Sequence, residues 1–219
     1  MKNPNSSQIS YVALDFGGVI AEEGFREGLH AIAKQAGLPP DDFFELAARL
    51  IYDCGYVKGK IAEHDYWELL RQTTGIQGTD EALRHEILER FTLRSWMLDV
   101  VRNLRKSGLK MAMLSDQTQW LDELDAQNHF FGEFDVIFNS FHLGITKKDP
   151  AIFDLVASHF SAEASKFLFV DDNPGNVQMA VSRGFNAFVF KDKKGFFENL
   201  SEFGLMLTSI HRDLESRDG

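Results

Sequence analysis

The chain has 219 residues, 44% hydrophobic and 26% charged, an ordinary globular balance with room for one domain plus an inserted subdomain. A formal net charge of -10, with no large Lys/Arg cluster, argues against a nucleic-acid partner, and no stretch approaches the ~20 apolar residues of a membrane span. Cys54 is the single cysteine, which excludes an internal disulfide and points to a reducing, cytoplasmic setting.

Met1–Ser10 is polar, carries one lysine and has no apolar run behind it, so it is expected to be a loose tail rather than a signal peptide. Tyr11–Leu14 is the first short apolar run that reads as a buried parallel strand. Residues 21–92 then lack a convincing strand but repeat helical spacing. Leu29, Ile32 and Ala33 are one such set, followed by Phe43, Phe44, Leu46, Ala47 and Leu50; Trp67, Leu69 and Leu70 come next, then Leu83, Ile87, Leu88 and Phe91. This block reads as a separate helical domain covering the sheet edge.

Beyond it, Ser95 is expected to cap a helix through Trp96, Val100, Val101 and Leu104 that stops at Gly108. Lys110–Leu114 is a second strand and Asp135–Phe138 another candidate. Asp149-Pro150 starts a helix whose buried face is Ile152, Phe153, Val156 and Phe160. Phe167–Val170 is a strand, Gly175 to Arg183 a helix stopped by Gly184, and Ala187–Phe190 a last strand. Apolar spacing from Phe196-Phe197 to Leu207 predicts a docking helix. Strands alternating with helices predict an α/β fold, a doubly wound parallel sheet formed by residues 1–20 and 93–219 with the helical block 21–92 inserted. The 20 phenylalanines imply a strongly aromatic core.

The chemistry-bearing residues follow the strands. Asp15-Phe16-Gly17-Gly18-Val19 follows the first, Ser115-Asp116 the second, and Asp171-Asp172-Asn173 follows Phe167–Val170; Lys147 precedes the Asp149 helix. Ligands of open α/β sheets bind beyond the carboxyl ends of the strands, so these groups converge on one crevice. Any one strand-end Asp is ordinarily a turn or helix cap. Together they would repel one another without a cation. Magnesium suits carboxylate and carbonyl oxygens and leaves room for a phosphate; one carboxylate can then attack phosphorus. Gly17 and Gly18 let the backbone approach ion and phosphate closely. The acidic surface means that a phosphate needs such a locally positive mouth.

The order D-F-G-G-V, L-S-D, K-K-D-P-A-I-F and F-V-D-D-N-P-G-N resembles the four motifs of the haloacid dehalogenase-like hydrolases, across nearly the whole chain. The helical block then corresponds to that family's cap. The resemblance implies Asp15 as nucleophile, Ser115 as the hydroxyl on the phosphoryl group, and Lys147 as the motif lysine, with Lys148 where proline is common. It implies Asp15, Asp171, Asp172 and the Gly17 carbonyl around Mg2+, with Gly18 and Asp116 also against substrate. Family phosphatases usually carry a second Asp two residues after the nucleophile as a proton donor. Here that position is Gly17, as in a sugar-phosphate phosphatase branch with D-x-G-x-V, whose cap Val57-Lys58-Gly59-Lys60-Ile61 and Asp65-Tyr66-Trp67 resemble. Asp116 stands where Asn is common, and would repel phosphate unless protonated, turned away or paired with Lys147.

The expectation is a magnesium-dependent phosphatase of a small phosphorylated metabolite, monomeric or homodimeric. A catalytically silent binding protein ranks second and a metal-independent dehalogenase third, the latter disfavoured by the acidic pair Asp171-Asp172. Arg26, Tyr52, Tyr56, Lys58 and Lys60 are candidate substrate selectors on the helical block. His64, His129 and His142 sit in no ligand spacing and are expected to be surface or packing residues. Asn176 is expected to cap or brace the loop after the acidic pair.

Overall fold

The computed structural model describes residues 8–205; the tail's first seven residues and Leu207 lie outside them. Five strands form one parallel sheet: β1 (Tyr11–Leu14), β2 (Lys110–Ser115), β3 (Val136–Asn139), β4 (Phe167–Asp171) and β5 (Asn186–Val189), in the order β3-β2-β1-β4-β5. β1 is central, with Tyr11 opposite both Lys110 and Phe167. Its neighbours lead off in opposite directions, which opens a crevice at the strand ends. The helices are α1 (Gly24–Gln35), α2 (Pro40–Asp53), α3 (Glu63–Thr74), α4 (Asp80–Leu88), α5 (Ser95–Lys106), α6 (Trp120–Asn128), α7 (Ser140–Leu143), α8 (Ala151–His159), α9 (Pro174–Ser182) and α10 (Lys193–Glu202).

Strand side chains alternate between two apolar clusters, which is why the runs are hydrophobic throughout. Val12, Leu14, Met111, Met113, Leu168 and Val170 join Val100, Val101 and Leu104 of α5. Ala13, Leu114, Phe167 and Phe169 join Ile152, Phe153 and Val156 of α8. Phe153 meets Phe169 edge-on at 5.4 Å, so the aromatic surplus is used in this core.

Four expectations shift. β3 and β5 each move by one residue; before β3, Asp135 still donates its N–H to Met111 O (2.8 Å), while its side chain rather than its backbone takes the Met111 N–H (2.9 Å). Ser95 is the first helical residue of α5, and Arg94 holds the cap position without a side-chain cap bond. Arg94 is committed elsewhere: its N–H donates to Ile20 O (2.9 Å) and its guanidinium holds Glu22 and the carbonyls of Gly18 and Val19. α9 starts at Pro174, with Asn173 Oδ1 accepting from the Gly175 N–H at 2.8 Å. Finally, α6 has no counterpart in the sequence reading, since Trp120, Leu121 and Leu124 alone bury its face amid polar neighbours.

In the helical block, α1 packs on α2 and α4. Its apolar side chains continue those under β1, from Leu29 and Phe43 to Tyr66 and Trp67. Trp67 stacks on Trp120 of α6 at 5.8 Å. The chain enters and leaves this block side by side: Glu22 N–H donates to Thr92 O (2.9 Å), and Ala21 bridges Leu93. Among the described residues no helix is long and apolar enough to cross a membrane.

Candidate active site

Asp15 follows β1, Ser115 ends β2, and Asp171 ends β4, so the parallel register brings all three to one rim. Lys147 reaches in from the loop before α8. Its Nζ lies 2.9 Å from Asp15 Oδ2 and 2.6 Å from Asp171 Oδ2, and all three side chains are buried. Asp15 Oδ1 accepts the Phe16 N–H at 2.7 Å. Asp171 also accepts from the Asn173 N–H (2.8 Å) and, through both oxygens, from Asn176 Nδ2 (3.1 Å each), which is the bracing expected of Asn176.

Burial lifts the Asp15 carboxyl well above the usual range; Lys147 opposes this, while Asp171 and Asp172 reinforce it. Burial by itself would depress Lys147, but Asp15, Asp171 and Asp116 outweigh it and hold the ammonium charged. Burial, with Asp171, also raises Asp172. One ammonium therefore faces several carboxylates and leaves an excess of negative charge. One oxygen each from Asp15, Asp171 and Asp172 lie within 4.8 Å of one another. Three hard oxygen donors with surplus negative charge fit a small divalent cation. Gly17 lines the same cavity. Gly18 does not, contrary to its expected place against substrate: at φ +74° its carbonyl turns to Arg94, and a Cβ there would lie 2.4 Å from Asp172 Oδ2. Glycine at 18 is what lets the acid lie against this loop.

Asp116 lines the cavity beside Ser115, with both of its oxygens engaged by protein donors. Oδ1 accepts the Lys147 backbone N–H (2.9 Å) and Oδ2 the Tyr52 hydroxyl (3.0 Å). The acid beside Ser115 is thus turned away into protein donors, and it ties α2 to the strand ends. Tyr52→Phe should leave the Asp116 oxygen without that donor and lower stability by about 1–3 kcal/mol. It should also raise KM for any substrate held under α2; urea unfolding and steady-state kinetics on the same variant measure both.

A cavity of about 660 Å³ opens between this rim and the helical block. Its upper wall is Phe25 and Arg26 of α1 with Phe44, Arg49 and Tyr52 of α2. The block therefore stands over the carboxyl ends of the strands rather than along the sheet edge. Arg26 lies over the Phe44 ring at 3.9 Å, and Lys148 over the Tyr52 ring at 3.4 Å. Of the other expected selectors, Tyr56 is buried and stacked on Tyr66 (5.4 Å), and Lys58 and Lys60 lie outside the wall. His64 and His142 pair on the surface with Asp80 and Asp122, each at 2.8 Å, and His129 ends α6. Burial pushes the half-buried Cys54 thiol up, away from reactivity.

Sequence reasoning missed Arg49 and Glu23. Glu23 caps α1, its Oε1 accepting the Arg26 N–H at 3.2 Å, while a Cβ on Gly17 would lie 3.0 Å from its Oε2. Burial raises its carboxyl, the Arg26 N–H lowers it and Asp172 raises it further. A lone Glu before a helical run looks like an ordinary cap, and only its proximity to Gly17 sets it apart.

A model of the haloacid dehalogenase-like hydrolases matches residues 9–184, from before β1 to the turn after α9. The chain belongs to this hydrolase family. D-ribitol-5-phosphate phosphatase of Bacteroides thetaiotaomicron is 26% identical over 190 residues, covering 82% of this chain and 91% of that protein. The chloroplastic flavin mononucleotide hydrolase 1 of Arabidopsis thaliana is 22% identical over 172 residues, 77% of this chain and 68% of that protein. In fold, the chain resembles a haloacid dehalogenase family enzyme of B. thetaiotaomicron solved with magnesium and inorganic phosphate. That likeness has a TM-score of 0.68 at 20% identity and covers 86% of this chain and 99% of that one. The doubly wound sheet read from strand and helix alternation is this family's fold.

Proposed function

We propose that this hydrolase is a magnesium-dependent phosphatase of a small phosphorylated metabolite, with a sugar or polyol phosphate as the favoured class. The observation that carries the reading is the carboxylate excess at the strand ends, with Asp15, Asp171 and Asp172 around one point and Lys147 buried between two of them. A phosphate monoester brings negative charge of its own, so the cavity admits it only with a cation present.

Asp15 is the nucleophile. Its carboxylate bonds to phosphorus, and water later releases the phosphate from it. Lys147 opposes the burial that disfavours the Asp15 carboxylate and aligns it, and the Ser115 hydroxyl donates to a phosphoryl oxygen. Asp15, Asp172 and the Gly17 carbonyl would hold the ion, with Asp171 beside them. Asp171 already accepts four hydrogen bonds, whereas the Asp172 carboxylate is exposed to the cavity, so Asp172 would be the outward ligand. Bound there, magnesium would offset charge on the transferring phosphoryl group. Residues 21–92 serve as the cap, with Arg26 and Arg49 facing the non-reacting part of the substrate. The relatives that act on ribitol phosphate and flavin mononucleotide support this class.

The test is phosphate release from a panel of sugar, polyol and nucleotide monoesters with magnesium or with chelator. Turnover that needs magnesium is expected, and no turnover of any ester would overturn the reading. Magnesium should also raise the melting temperature, by the equivalent of about 2.7 kcal/mol at a hundred times its Kd. An unchanged melting curve would remove the ion site.

A further inference from the structure

We propose that Glu23, at the start of α1, is the proton donor to the leaving oxygen. The assignment rests on the phosphatase reading above. An alkoxide is a poor leaving group, so an acid must reach the ester oxygen as the bond to phosphorus breaks. The cavity offers few free ones. Lys147 is held by two carboxylates, and Asp116 has both oxygens engaged. Tyr52 spends its hydroxyl on Asp116, and Asp53 is exposed at the end of α2.

Glu23 differs from all of these. Oε1 is fixed by the Arg26 N–H, which fixes the side chain, and Oε2 occupies the space above Gly17, in the same cavity as Asp15. Gly17 follows the nucleophile by two residues, so this carboxyl stands over the nucleophile's own loop. A Cβ at 17 would lie 3.0 Å from Oε2, so this carboxyl occupies the space that a side chain at 17 would enter.

In the first step Asp15 bonds to phosphorus, the ester P–O bond breaks, and the departing oxygen takes the Glu23 proton. In the second, the Glu23 carboxylate takes a proton from water, the water oxygen bonds to phosphorus, and the bond from phosphorus to Asp15 breaks. The sum is ester plus water giving alcohol plus inorganic phosphate, with both carboxyls restored.

The experiment compares kcat/KM on a polyol phosphate, whose alkoxide needs a proton, with that on p-nitrophenyl phosphate, whose phenolate leaves readily. In Glu23→Gln the polyol-to-aryl ratio should fall about 10²-fold or more. The amide oxygen can still accept the Arg26 N–H, so the α1 cap is retained. The pair Glu23→Ala and Gly17→Asp/Glu23→Ala supplies a second measure. An Asp at 17 enters the vacated space and should recover at least about tenfold of the polyol activity lost in Glu23→Ala. An equal loss on both esters in Glu23→Gln, or no loss, overturns the assignment and leaves the phosphatase reading standing. If Glu23→Gln does not fold, the absence of any gain from Gly17→Asp overturns it. No turnover of either ester by the unmodified protein overturns both.

Discussion

Asp15→Asn should abolish phosphate release, with kcat falling on the order of 10⁴–10⁶-fold, the loss seen when a nucleophile is removed from a unit whose members act together. The substitution is nearly isosteric. The amide oxygen can still accept the Phe16 N–H that Asp15 Oδ1 now accepts at 2.7 Å, so the turn after β1 should persist. What disappears is the charge 2.9 Å from Lys147 and one of three oxygens of the cation cluster. The variant should therefore also show a smaller rise in melting temperature with magnesium. Single-turnover assays with magnesium in excess separate the two effects: restored occupancy should not restore turnover. More than about 1% residual kcat would mean that another group attacks phosphorus.

Lys147→Met should be the most damaging change to stability. The methionine can fill much of the volume, but it leaves Asp15 and Asp171 buried without the ammonium that now contacts both. Breaking a buried pair by removing one partner costs about 3–5 kcal/mol. The sign with pH follows from Asp15, whose folded carboxyl already sits above its unfolded value because of burial and which Lys147 pulls back down. A raised acid favours the fold at low pH and loses that contribution as pH rises through its folded value. The deficit of Lys147→Met should accordingly be smaller in mild acid than at neutral pH, and magnesium should recover part of it. Urea unfolding at two pH values, with and without magnesium, measures all three; equal stability to the parent at neutral pH without magnesium would show that the lysine does not balance the rim.

The three central strands were legible because β1, β2 and β4 are buried almost throughout and so read as near-continuous apolar runs that end against Asp15, at Ser115 and at Asp171. Asp15, Ser115, Lys147 and the Asp171-Asp172 pair stood out because no packing need explains such groups at successive strand ends. α6 was not legible, since its burial rests on the Trp120 ring meeting Trp67, a contact between distant parts of the chain. Nor was the resting place of Asp116: its charge looked hostile to phosphate, and only the fold brings the Tyr52 hydroxyl and the Lys147 N–H to its two oxygens. Glu23 was hidden for the same reason. Sequence spacing records its role as a cap on α1 but not its approach to Gly17.

The paired crossing at Ala21 and Leu93 has a consequence for how such a chain can diversify. Because the polypeptide departs and returns at one β-bridge, strengthened by Arg94 of the returning pass gripping the outgoing one, the intervening helices form an excursion whose ends are already joined. Lengthening or exchanging a closed excursion adds little entropy cost to the remainder of the chain. The attacking carboxylate and its lysine belong to the part that stays. Glu23 belongs to the part that would be exchanged, so on the assignment above, a transplant of this segment would carry acid chemistry and substrate preference together as one heritable unit.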